Sequence, residues 1–119
     1  MKNYWTILIT EGDYEPWYFF DGWEENIKER MVFENKKDAV QKYSELLKLY
    51  KARYKHSEKR GLSIFVFWTE GEEVYCEACD EFLQVFHGLL FLENDLIYDF
   101  DQDEESKRKL LSTINESSL

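Results

Sequence analysis

The run Leu62-Ser-Ile-Phe-Val-Phe-Trp-Thr69 constrains this chain more than any other segment. It is rich in β-branched and aromatic residues and almost continuously apolar, the pattern of a central strand covered on both faces. The chain has 119 residues, close to the commonest size of one domain, and 44% of them are apolar and 18% aromatic. That is enough material for one core without a disulfide or metal, so residues 1–119 read as a single domain.

Around this strand the chain divides at its turn residues. Asn3 to Thr10 is aromatic and β-branched and stops at Glu11-Gly12-Asp13, so it reads as a first strand. Pro16 to Phe20 reads as a second strand closed by Asp21-Gly22, with Pro16 at its start. Trp23 to Glu29 fits either a short helix or a loop, and Arg30 to Glu34 a short third strand. Asn35 is a suitable N-cap, Asp38 complements the helix dipole, and Ala39, Val40, Tyr43, Leu46, Leu47, Tyr50 and Tyr54 recur at helical spacing. This predicts a helix over Lys36 to Tyr54, roughly 28 Å long at 1.5 Å per residue.

Lys55 to Gly61 reads as a polar loop, and Glu73 to Cys76 as the partner strand of Leu62 to Thr69. Phe82, Leu83 and Phe86 fit one side of a short helix near residues 79–86 that Gly88 would end. Leu89 to Leu92 and Leu96 to Phe100 flank Glu93-Asn94-Asp95 as a hairpin, and Leu110, Leu111 and Ile114 mark a helical piece over 104–114. Strands in adjacent runs joined by short turns favour an antiparallel sheet. The expected fold is α+β: a mainly antiparallel sheet, one long helix packed on it, and short additional helices.

Charge narrows the partners. There are 25 acidic against 15 basic side chains, a net charge of −10, which repels phosphate backbones and anionic membranes. No stretch reaches the roughly 20 apolar residues of a membrane helix. Glu11 and Asp13 break the N-terminal apolar stretch before a secretory core could form. With two cysteines and no export signal, the expectation is a cytoplasmic protein with reduced thiols.

Three features carry chemistry. Cys76-Glu77-Ala78-Cys79 has a spacing that can share a metal ion or close a disulfide, and a zinc site would need His87 and a carboxylate to complete it. The carboxylates crowding the segment work against a reactive thiolate, and ordinary structural cysteines remain the simplest reading. The stretch Tyr14 to Glu24 packs six aromatics among carboxylates. A strand sends only alternate side chains inward, so this segment needs a second covering layer or a partner. Trp17, Asp21 and Trp23 are its candidate binding residues. His87 suits proton transfer near neutral pH, but a packed or capping histidine is the plainer account. There is no Gly-rich phosphate loop, Gly-x-Ser-x-Gly elbow, His-Glu-x-x-His or calcium loop.

The ordered set Glu15-Pro16-Trp17, Asp21-Gly22-Trp23-Glu24, Phe67-Trp68, Cys76-x-x-Cys79-Asp80 and His87-Gly88-Leu89-Leu90 resembles a bacterial family known as domain of unknown function 1033. The resemblance implies a small cytosolic protein of Gram-positive bacteria and brings no activity, ligand or catalytic residue with it. The stretch after Asp101 lies outside the resemblance and reads as a peripheral extension. The leading functional expectation is a non-catalytic interaction module whose acidic and aromatic surface meets a protein partner or a second copy. The alternative is a metal- or thiol-dependent protein using Cys76 and Cys79, with zinc as the metal. A third reading is DNA mimicry by carboxylates spaced like phosphates.

Overall fold

The central apolar run forms strand β4 (Ile64–Trp68), and four of its five residues are buried. In the computed structural model, which describes residues 2–117, it lies beside the longest apolar strand, β7 (Phe86–Glu93). β7 also pairs along its whole length with β1 (Trp5–Gly12), and β1 pairs with β2 (Ile27–Phe33). The far edge is β3 (His56–Arg60), and a short β8 (Leu96–Ile97) continues the β4 side of β7. The order is β2-β1-β7-β4-β3, every pair is antiparallel, and the fold class is α+β.

The period of two along each strand sorts the core into two faces. Ile7, Phe65, Phe67, Leu89 and Phe91 point to one face, where helix α1 (Lys36–Arg53) covers them with Ala39, Val40, Tyr43, Leu46, Leu47 and Tyr50. The Asn35 side chain accepts from the Asp38 amide at 3.2 Å, and Lys51 and Arg53 close the helix at the end where its dipole favours cations. Helix α2 (Glu104–Ser117) lies along α1, buries Leu110 completely, and joins it through the Ser44 and Thr113 hydroxyls, 2.8 Å apart. The Tyr43 hydroxyl, fully buried, donates to the Leu62 carbonyl at 2.9 Å.

Leu8, Ile64, Leu90 and Leu92 point to the second face, where Trp17, Trp23 and Ile27 pack on them. That cover is not the strand expected over residues 16–20. Pro16–Tyr18 and Trp23–Asn26 are single turns of 3-10 helix, so the segment crosses the sheet instead of joining its edge. Gly88, expected to end a helix, lies in mid-strand for the same reason. A Cβ there would come within 3.0 Å of Pro16, so only glycine lets the proline rest on the sheet.

Two further expectations are corrected. His56–Arg60 is an edge strand, not a loop: it needs only β4 as a partner, and its charged outer side blunts the open edge. Residues 79–86 do not form a helix. β5 (Glu73–Cys76) turns back into β6 (Glu81–Gln84), a two-stranded arm separate from the main sheet, and Phe82 is 65% exposed. No arm side chain enters either core cluster, and the radius of gyration, 14.9 Å, exceeds the roughly 13.5 Å of a compact domain this long.

Candidate functional site

The cover of the second face is one chain thick, so burying one set of its aromatics turns the other set outward. Trp17 and Trp23 are half-buried against the sheet, while Tyr18, Phe19 and Phe20 are 51%, 38% and 53% exposed. The outer rings form a ridge of two ring groups. Tyr18 and Phe20 stack in parallel with centroids 5.3 Å apart, Tyr14 meets Phe20 edge-on at 4.9 Å, and Phe19 meets Trp23 edge-on at 5.0 Å.

Backbone geometry holds the ridge. Phe19 adopts φ 48°, left-handed, which ordinary side chains avoid, and Gly22 at φ 83° completes the reversal after Asp21. Below, the Arg60 guanidinium lies 3.9 Å from the centroid of a Trp17 ring, bringing the β3 edge to the cover. The Trp17 indole nitrogen is buried without a hydrogen-bond partner among the described residues. Asp13, Asp21, Glu24 and Glu25 are exposed and give the ridge an acidic border. Of the three residues expected to bind, Asp21 is on the surface, whereas Trp17 and Trp23 serve mainly as footing. The outermost groups are Tyr18, Phe19 and Phe20.

The second candidate set does not assemble. Cys76 and Cys79 meet at the tip of the arm, their Cα atoms 5.5 Å apart, and are joined as a disulfide where reduced thiols were expected. The Cys79 amide donates to Cys76 Sγ at 3.3 Å, and Asp80 follows at φ 51°. His87 lies on β7, away from this tip. Its Nε2 is 2.9 and 3.0 Å from the two carboxylate oxygens of Glu72, and its ring stacks on Tyr54 at 4.5 Å. Zinc held by Cys76, Cys79 and His87 does not fit: the sulfurs are bonded to each other and the imidazole faces a different partner.

A family model described as a protein of unknown function, DUF1033, matches residues 4–118. The chain belongs to that family. The DUF1033 match includes the segment after Asp101, which is therefore no extension outside the family. No curated protein matches the chain, and neither does any solved structure. Among the described residues, no helix is long and apolar enough to cross a membrane.

Proposed function

We propose that this chain is a non-catalytic protein-binding module whose recognition element is the ridge Tyr18-Phe19-Phe20, footed on Trp17 and Trp23 and bordered by Asp21. The observation that carries the reading is Phe19. A bulky residue held at φ 48° costs about 1–3 kcal/mol, and here the cost holds an aromatic ring partly in water. Three adjacent exposed aromatics are the composition of an interface centre, where such rings bury area with little loss of conformational freedom. Asp13, Glu24 and Glu25, together with the net charge of −10, suit a partner with an apolar recess lined by basic residues.

The test places a photocrosslinking phenylalanine analogue at position 20 and identifies the adduct by mass. A basic partner should be captured, and purified, it should bind the Phe19→Ser/Phe20→Ser double variant at least about 10-fold more weakly than the unaltered chain. Phe19→Gly relieves the backbone and should fold at least as well while binding less. An adduct to a second copy, with a dimer mass that the double variant loses, would make the partner this same chain. Adducts confined to the chain itself, with a monomer mass throughout, would refute the proposal.

The Cys76–Cys79 disulfide at the arm tip, with Cys79 exposed and Cys76 partly so, favours a second reading, thiol–disulfide exchange. A midpoint potential near that of the thioredoxin class would support it, and one below about −300 mV would mark a structural clip.

A further inference from the structure

His87 has two carboxylates beside it, those of Glu11 and Glu72. Glu11 is its direct partner in the β1–β7 register, and both side chains face the helix side at the end of the sheet. Glu72 arrives from the turn after β4. One carboxylate oxygen each of Glu11 and Glu72 and a ring nitrogen of His87 all lie within 4.8 Å of one another. We infer that Glu11, Glu72 and His87 form a mononuclear site for a divalent first-row transition-metal ion such as Mn²⁺, Fe²⁺ or Zn²⁺.

The distances fit such an ion. Two ligands at right angles on bonds of about 2.1 Å lie about 3.0 Å apart, and His87 Nε2 is 2.9 and 3.0 Å from the Glu72 oxygens. Glu11 is exposed, and one of its carboxylate oxygens lies within 4.8 Å of the other two donors. The other two donors are held in place. The His87 ring stacks on Tyr54, and the backbone of Glu72 donates to the Thr69 carbonyl at 3.2 Å while its carbonyl accepts from Val85 N at 2.8 Å and Gln84 Nε2 at 3.1 Å. One imidazole nitrogen with two carboxylates is a donor set for transition ions; Ca²⁺ and Mg²⁺ prefer oxygen alone. Three protein ligands at an exposed position leave room for water or an exchangeable ligand.

Charges of both signs surround the cluster: Asp13 and Lys28 line a pocket with Glu11. The nearby Tyr50 hydroxyl has its pKa raised first by burial and then by Tyr54, with smaller contributions from Glu29 and Glu11 and an opposing one from Arg53. The facing positive group from α1 is Arg53, 6.0 Å from the centroid of the Tyr50 ring. A His87–Glu72 ion pair by itself would leave Glu11 without a role, and this difference makes the two accounts separable.

The experiment uses the full chain, stripped with chelator and dialysed, titrated with Mn²⁺ by electron paramagnetic resonance and with Zn²⁺ by calorimetry. One Mn²⁺ per chain should bind in the micromolar range. Glu11→Gln, an exposed near-isosteric change that leaves the fold intact by circular dichroism, should weaken it by about 10-fold or more, and Glu72→Gln at least as much. Cys76→Ser/Cys79→Ser should leave Mn²⁺ affinity unchanged, since thiolates prefer softer ions. Affinity no tighter than about 1 mM for both metals, affinity indifferent to Glu11→Gln, or Mn²⁺ binding lost with the cysteines would each overturn the site.

Discussion

Asp103 should contribute more to stability than any other carboxylate beside α2, and its replacement gives a quantitative test of how that helix is attached. One Asp103 oxygen accepts from Lys36 Nζ at 2.9 Å and from the Tyr98 hydroxyl at 2.8 Å. The other accepts from the Ser106 amide at 3.2 Å, which makes Asp103 the N-cap of α2, and its side chain is only 10% exposed. Losing the cap costs about 1 kcal/mol and a charge-assisted bond about 1.5–3 kcal/mol; because they share one carboxylate, Asp103→Ala should cost about 3 kcal/mol in all. At roughly 2.1 cal/mol/K per residue over 119 residues, that lowers Tm by about 12 °C. Asp103→Asn keeps the cap and loses the charge, for about half the effect. Burial pushes the Asp103 carboxyl up, but hydrogen bonds from Lys36, Ser106 and Tyr98 outweigh it and hold the group well below the usual carboxylate range. With the folded pKa below the unfolded value of about 3.9, the contribution is complete above about pH 5 and is lost as pH falls through the folded pKa. Urea unfolding of the unaltered chain and Asp103→Asn from pH 7 to pH 2 should therefore show a difference that shrinks below about pH 4. A difference that stays constant over that range, or a cost for Asp103→Ala under about 0.5 kcal/mol, would refute this account of the α2 anchor.

Three more outcomes are expected. Gly88→Ala should cost about 1–3 kcal/mol in urea unfolding by forcing Pro16 off the sheet and displacing the Thr10 side chain, with a concurrent change in tryptophan fluorescence as Trp17 shifts. Cys76→Ser should remove at most about 2 kcal/mol by loop closure, felt in the arm alone: Tm should barely move while amide exchange across 73–84 accelerates. Tyr43→Phe should cost about 1–2 kcal/mol for the lost bond to Leu62 and should also flatten the alkaline limb of stability. Burial holds the Tyr43 phenol well above its ordinary value, and burial with the Asp103 contact pushes Tyr98 up to about 12, so native stability falls as pH rises past about 10, where unfolded tyrosines ionise.

Elements that follow from their own residues were legible in the sequence; those decided by partners were not. α1 was readable because Asn35, Asp38 and the apolar stripe from Ala39 to Tyr50 specify it locally. β4 was readable because a run without polar residues has one stable place, between neighbours. His56–Arg60 carries five polar side chains and becomes a strand only because β4 offers it an edge. Glu81–Gln84 has helical composition and is drawn into a strand by β5. The same limit governs the sites. The aromatic crowding of Tyr14 to Glu24 is local and marked the surface, whereas Glu11 faces His87 only through the β1–β7 register, which joins the start of the sheet to a strand more than seventy residues away.

The geometry of the second face explains why an exposed aromatic ridge arises there and not over the helices. A helix buries one stripe and turns charged residues to water, so α1 and α2 finish the first face without exposing rings. The second face is finished by residues 14–26, a segment with no such stripe and only two single turns of 3-10 helix. Leu8, Ile64, Leu90 and Leu92 need large apolar groups above them, and Trp17 and Trp23 supply those. In so thin a layer the residues between the tryptophans must point away from the sheet. Solubility alone would place polar groups at those positions, yet the chain places Tyr18, Phe19 and Phe20 there and holds Phe19 in a left-handed conformation to keep them. The sheet accounts for the tryptophans; it does not account for the three outer rings, and the proposed interaction rests on this surplus.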